Sequence, residues 1–335
     1  MNHVLIASHL LAAMPDVQHG GLIESDLLFR GGSDRSFIRL TAGSQTAVAL
    51  IQPGGGNEFN SYLTVGEFLQ RNGIGVPTFF GADREQGVLL MEDLGDLHLE
   101  DALRNAESTE ELSLYRGCIE ILVRLETRVT SAMEDEGILA DRLFNEDTLL
   151  GETDYFIREF VGQYCQIECP PGWEQERRHL AKTLAALTPV FMHRDFQSSN
   201  IMIKEGRLRV IDFQTAHRGP GIYDAASLLK DAYHPLPLDT QRMLLKELHD
   251  GLQREGAKTT DSFEEFYHAF TLAGIQRNLQ ALAAFTYLGL KKGKKKFLDS
   301  IPNGLRLLEE GILESGDFSA LMKMVQVIKQ KKLKG

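Results

Sequence analysis

The chain has 335 residues, enough for one large domain or two medium ones around a sizeable core. Hydrophobic residues make up 43% and charged residues 25%, the balance of a soluble globular enzyme. The formal net charge of −11 argues against nucleic acid as the main partner, because gripping a phosphate backbone needs a basic face.

In chain order, Val4 to Met14 is short, interrupted by Ser and His, and lacks a basic leader. It reads as an amphipathic first helix and not as a signal peptide. Residues 22–51 read as strands: Leu27-Leu28-Phe29, a Gly31-Gly32-Ser33 turn, Phe37 to Leu40, a Gly43-Ser44 turn, then Ala47 to Ile51. Gly54-Gly55-Gly56 is a flexible breaker. Asn57 is a candidate cap for a helix to Arg71 with Phe59, Tyr62, Leu63 and Phe68 on its apolar side. Short strands follow near Thr78–Gly81 and Gly87–Met91, and Glu92-Asp93-Leu94-Gly95-Asp96 is a polar break.

Beyond residue 97 helical patterns dominate, as at 111–128 and 174–187. A strand pair intervenes around Ile201–Ile203 and Leu208–Ile211, and helices resume from Tyr223. A strand-rich part with one helix thus precedes a mainly helical part. This predicts an α+β fold of the two-lobed kinase kind, with an N-lobe at 1–91, a hinge at 92–97 and a C-lobe at 98–335. Nucleotides often bind where two lobes meet.

The strongest signal is His193-Arg194-Asp195-Phe196-Gln197-Ser198-Ser199-Asn200, which matches the kinase catalytic-loop pattern H-R-D-x-x-x-x-N. Twelve residues after Asn200 stands Asp212, in Val210-Ile211-Asp212-Phe213, with Gln214 where kinases carry Gly. Phosphoryl transfer develops charge on oxygens. Magnesium neutralises it and prefers hard oxygen ligands, which Asn200 and Asp212 supply. Asp195 is the candidate base for the attacking hydroxyl. The blander reading is a surface turn rich in Asp, Asn and Ser.

The Gly31-Gly32-Ser33-Asp34-Arg35-Ser36 turn offers backbone amides to the phosphates, or is simply a hairpin turn. Asp224 reads as an acid opening a helix and bracing the catalytic loop, and His193 and Arg194 as loop supports. The strand Val48-Ala49-Leu50-Ile51 has Ile where V-A-I-K places the phosphate-binding Lys, so Arg35 or Arg39 is left to supply the charge. Its helix partner is Glu58 or Glu67.

Three cysteines, Cys118, Cys165 and Cys169, are too few for a disulfide framework. Cys165 and Cys169 fit one helix face but lack two further zinc ligands. They read as free thiols of a reducing cytoplasm. No apolar run approaches the ~20 residues that span a bilayer, so a cytoplasmic protein without stable membrane insertion is expected. The run Lys291-Lys292-Gly293-Lys294-Lys295-Lys296 reads as a solvated face, or as a site for an anionic substrate group. The tail from Met322 to Lys334 reads as a docked terminal helix, and Glu134-Asp135-Glu136 as a solvated loop.

These motifs resemble the aminoglycoside phosphotransferase and choline kinase superfamily. Within it the chain is similar to the bacterial anomeric kinases of N-acetylmuramate and N-acetylglucosamine, which act in cell-wall sugar recycling. The similarity runs through Gly31–Arg39, Asn72–Pro77, Leu90–Gly95, His193–Asn200, Ile211–Gln214, Gly219-Pro220, Tyr223–Leu229 and Phe297–Pro302. It implies Asp195 as base and Asn200 and Asp212 as magnesium holders. The nucleotide would lie on Gly31, Gly32, Ser33 and Arg35 or Arg39, with the Glu92–Leu94 backbone meeting adenine. The implied reaction moves the ATP γ-phosphate to a hydroxyl of a small molecule, a sugar above all.

Only twelve residues separate Asp212 from Asp224, and no Ala-Pro-Glu follows, which sets protein kinases aside. A nucleotide-binding pseudokinase and an aminoglycoside or choline-type kinase are the alternatives. Oligomeric state leaves no trace in the sequence.

Overall fold

The computed structural model describes residues 3–12, 23–28, 35–257, 259–260 and 262–332. The chain forms two compact units, one of Met1–Leu99 with Asn200–Thr215, the other of Glu100–Ser199 with Ala216–Gly335.

The first unit opens with helix α1 (His3–Ala12) and strands β1 (Ile23–Leu28), β2 (Ser36–Ala42) and β3 (Gln45–Ile51). Helix α2 (Asn57–Arg71) and strands β4 (Phe79–Asp83) and β5 (Val88–Glu92) follow. The five strands form an antiparallel sheet in the order β1-β2-β3-β5-β4. Alternation decides its faces. Ala47, Ala49 and Ile51 of β3 and Val88 and Leu90 of β5 join Leu40 in a core closed by Ala7 and Leu11 of α1.

Helix α2 ends at Arg71 as predicted, and Phe59, Tyr62, Leu63 and Phe68 are all buried. Its start differs from expectation. Gly56, at φ +93°, is the cap residue and Asn57 already belongs to the helix. The three consecutive glycines all have positive φ, so they form a defined turn that L side chains rarely adopt.

The second unit is mainly helical. It contains most of α3 (Leu99–Leu103), then α4 (Ser108–Arg124), α5 (Thr130–Glu136), α6 (Glu146–Phe156) and α7 (Trp173–Ala185). Strand β6 (Pro189–Met192) pairs antiparallel with a strand at His217–Pro220. Between these two in the chain, β7 (Ile201–Lys204) and β8 (Arg207–Val210) make a hairpin that belongs to the first unit, so the His217–Pro220 strand is β9. Helices α8 (Ile222–Leu229), α9 (Leu238–Arg254), α10 (Phe263–Thr286), α11 (Ile301–Ser315) and α12 (Ser319–Lys332) complete it. Helix α10 is buried on nearly every side and packs against α6, α8 and α11.

Two expectations about the helical unit need correction, and two of its strands escaped the sequence reading. Strands β6 and β9 carry no alternating pattern long enough to read. Glu134, Asp135 and Glu136 lie in α5, not in a loop. Cys165 ends its helical run at a left-handed Gln166, so Cys169 shares no helix face with it. In the terminal helix, the Lys331 ammonium donates to the carbonyls of Cys165 and Gln166. Within the lysine run, Lys291 pairs with Glu159, and Lys295 and Lys296 are exposed.

Candidate active site

In the first unit, Asn200 and Asp212 sit where the β7–β8 hairpin opens. The Ile211 amide donates to the Asn200 carbonyl at 3.0 Å, which extends the ladder one step and brings both residues to the same end. At its other flank, the Val210 amide donates to the Gly75 carbonyl at 2.7 Å.

The Asp212 turn is held by its neighbour. Phe213 is fully buried, with its ring 4.7 Å from that of Tyr62 on α2. Gly66, one turn further along α2, makes the room, because a Cβ there would meet the rings of Phe79 and Phe213 at 2.4 and 2.9 Å. The Ser61 hydroxyl donates to the Gln214 carbonyl at 2.7 Å. Asp212 itself has φ +65°, a conformation that costs a non-glycine residue energy and often marks a functional site.

The Asp212 carboxylate remains partly exposed. Its Oδ1 accepts from Arg35 Nη2 at 3.1 Å and from Gln214 Nε2 at 2.9 Å. Arg35 also lies 3.6 Å from Glu58. The two arginines left open by the sequence therefore separate. Arg35 faces Asp212 and Glu58, while Arg39 forks onto Asp93 at 2.8 and 3.0 Å and also reaches Asp96. Glu67 lies 4.0 Å from Arg84 instead.

At the end of β5, burial pushes the Glu92 carboxyl up, but the Thr78 amide, Lys204 and Arg209 outweigh it and hold the group below its usual range. Asp93 behaves alike: burial is overcome by Arg39 and the Gly95 amide. Leu94 is buried. Gly31, Gly32 and Ser33 lie outside the described residues.

In the second unit, the loop 193–198 is tied down by two carboxylates, one in α8 and one just past it. Asp224 accepts from the backbone amides of His193 at 2.6 Å and Arg194 at 2.8 Å. Asp231, two residues past the helix, accepts from the amide and hydroxyl of Ser198 at 2.9 and 2.6 Å. The Arg194 side chain reaches Glu152 of α6 at 3.2 Å, and its backbone has φ +79°. Glu152 also accepts from the Tyr223 hydroxyl and from Gln276. Between these anchors Asp195 presents a carboxylate that stays about a quarter exposed, 28%.

Beside Asp224 and Gly221 lies a further buried acid. Burial pushes the Glu126 carboxyl up to about 8, and the nearby Asp224 adds to it. Asp224 is pushed up to about 7, mainly by burial, against the pull of the two loop amides. Gly221 accommodates Glu126, since a Cβ at that position would sit 2.4 Å from the carboxylate. Glu126 and Glu152 carry no motif and escaped the sequence reading. Their signal is faint: acidic residues at positions that helical periodicity turns inward.

Residues 27–263 match the APH phosphotransferase enzyme family. The chain belongs to that family. It is 26% identical over 302 residues to the N-acetylmuramate/N-acetylglucosamine kinase of Pseudomonas aeruginosa, covering 89% of this chain and 86% of that one. It is 30% identical over 240 residues to the protein of the same name from Neisseria meningitidis, covering 70% of each. Among solved structures, choline kinase from Cryptosporidium parvum superposes with a TM-score of 0.62 at 14% identity, over 96% of this chain and 99% of that one. The ternary complex of APH(2")-IIa with streptomycin and ATP gives 0.59 at 17%, over 88% and 97%. These likenesses show the fold, which is α+β and protein-kinase-like, with a small antiparallel sheet and a larger helical part. The chain is a phosphotransferase by family.

Proposed function

We propose that this phosphotransferase moves the γ-phosphate of ATP to a hydroxyl of an amino sugar of the N-acetylmuramate or N-acetylglucosamine type, in the recycling of cell-wall sugars. The observation that carries the catalytic part is the loop 193–198, whose backbone is pinned by Asp224 and Asp231 while the Asp195 carboxylate stays accessible. The choice of acceptor rests on the two relatives' names and on the extent of the match.

In this reading Asp195 accepts the proton of the attacking hydroxyl and orients its oxygen toward phosphorus. Asn200 and Asp212 suit magnesium: one carboxylate and one amide oxygen at the same hairpin end are the hard donors it takes when phosphates and waters complete its shell. Bound there, the ion would neutralise charge on the transferring phosphoryl group. Arg35, already beside Asp212 and Glu58, takes the part of the absent strand lysine, whose position Ile51 fills with a buried side chain. The Glu92–Leu94 backbone is the proposed adenine contact. No helix among the described residues is long and apolar enough to cross a membrane. A reaction fed by ATP belongs in the cytoplasm.

The test is ATP consumption with magnesium against N-acetylmuramate, N-acetylglucosamine, other hexoses, choline and kanamycin, with a no-acceptor control. Turnover with an amino sugar is expected. Asp195→Ala should lower kcat by ~10²–10⁴-fold or more and leave ATP binding intact. Turnover only with choline or kanamycin would overturn the acceptor, and full activity in Asp195→Ala would overturn the base.

A further inference from the structure

Near the middle of α10, within its mostly apolar and buried stretch from Phe270 to Phe285, stand Gln276, Arg277 and Asn278. Arg277 is 6% exposed. A guanidinium in such a place is costly unless every face of it is answered. Its Nε donates to the Ser227 hydroxyl at 3.1 Å, and Nη1 to Gln280. Its Nη2 donates to Gln197 Oε1 at 2.7 Å and lies 3.5 Å from Asp195 Oδ1. In turn, the Gln197 amide donates to the Asp195 carbonyl at 2.9 Å.

We infer that Arg277 is the positioning residue for the Asp195 carboxylate, an inference that rests on the role of Asp195 proposed above. The geometry separates its work from that of the two buried acids. Asp224 and Asp231 hold loop backbone and the Ser198 hydroxyl, at either side of Asp195. Arg277 reaches the side chain itself and, through Gln197, the residue that fixes the following turn. The 3.5 Å separation is long for a hydrogen bond, so the guanidinium supplies direction and counter-charge without occupying the carboxylate as a short bond would.

The charge is needed there. Asp195 lies in electrostatic range of Arg194, Arg277, Tyr223, Tyr233 and the buried Asp224. Arg277 also balances Asp231. A planar fork meets Ser227, Gln280, Gln197 and Asp195 at once, which a lysine ammonium cannot do.

The experiment compares Arg277→Met and Arg277→Lys with the wild type and with Asp195→Ala. In the amino-sugar assay Arg277→Met should lose about 10²-fold in kcat, with KM for ATP and for sugar changed less than about threefold. Arg277→Lys, which keeps the charge and is the safer folder, should lose about tenfold. Arg277→Met should cost nothing further in the Asp195→Ala background. Wild-type kcat in both variants, or a loss that multiplies fully with that of Asp195→Ala, would overturn the inference. A second measurement needs no acceptor. Thermal unfolding of Arg277→Met, alone and combined with Asp195→Asn, should show the arginine substitution to be less harmful once the aspartate charge is gone. Equal losses in both backgrounds would overturn the contact. A coupling found in a protein that turns over no sugar would support the contact and overturn only the functional reading.

Discussion

The loop that carries Asp195 is tied through its backbone, whereas the turn that carries Asp212 is tied through a ring. In the first, buried carboxylates of Asp224 and Asp231 take up loop amides, so the restraint is polar and complete. In the second, Phe213 is plugged against Tyr62 and the gap left by Gly66, and the carboxylate beside it is held by an arginine at its exposed edge. The two designs would suit the tasks proposed above. A general base at Asp195 would need one fixed orientation, and a carboxylate at Asp212 that is to hold a cation would need a backbone that stays put when its side-chain partner changes.

The comparison predicts unequal damage. Asp224→Ala orphans one buried and one partly buried amide, each worth about 1–3 kcal/mol. Urea unfolding should show a loss of about 2–5 kcal/mol, with turnover lost as well. Asp212→Ala removes a half-exposed group and should cost little stability. It should instead weaken magnesium-dependent nucleotide binding by about 10²-fold, read by calorimetry with and without magnesium. If the two variants lose similar stability, the contrast between polar and apolar anchoring fails.

The buried acids sharpen the polar side of the comparison through pH. Unfolded, Glu126 ionises near 4.5; folded, it keeps its proton to about pH 8. Between those values the folded protein holds a proton that the unfolded chain has released. Its contribution to stability is therefore complete below about pH 4.5, falls as pH rises through the window, and levels off above about pH 8. Asp224, pushed up to about 7, bends the curve the same way. Glu126→Gln should flatten the decline and stabilise the protein at pH 7 by about 1–3 kcal/mol. A melting temperature whose pH dependence matches the wild type would show that Glu126 ionises normally.

The parts of this arrangement differ in how far the sequence exposes them. Helix α2 and the β7–β8 hairpin are legible because periodicity and turn residues act locally. Asp195, Asn200 and Asp212 stand out in the sequence because the kinase pattern they match has a set spacing, and Asn200 and Asp212 do come to one end of the hairpin. The supports are another matter. Glu126, Glu152 and Arg277 sit in helices, 69, 43 and 82 residues from Asp195 in sequence, and only packing brings them to its loop. Strands β6 and β9 pair across 24 intervening residues, and each is four residues long, too short for alternation to show. What could have pointed to Arg277 is the polar triplet in the apolar stretch Phe270 to Phe285, since a charged residue there must have a buried partner.

The smallest effect falls on the apolar side. Arg35 has a nearly buried side chain, yet its partners Asp212 and Glu58 are both partly exposed. Ion pairs with exposed partners contribute on the order of 0–1 kcal/mol, so Arg35→Ala should leave the unfolding midpoint almost unchanged. Its Phe37 and Tyr62 cation–π contacts add only modestly to that. Function should respond more than stability. Without the guanidinium, Asp212 loses one of the two donors to its Oδ1, the other being Gln214, and in the proposed reading the phosphates would lose the positive charge that no strand lysine supplies. The expected change is a rise of about tenfold in KM for ATP with a smaller change in kcat. Arg39→Ala is the control: it frees Asp93 and Asp96, far along β2 from Arg35, and should lower stability more than it raises KM. If Arg39→Ala raises KM for ATP as much as Arg35→Ala does, the separation of the two arginines into a phosphate partner and a strand-end brace is wrong.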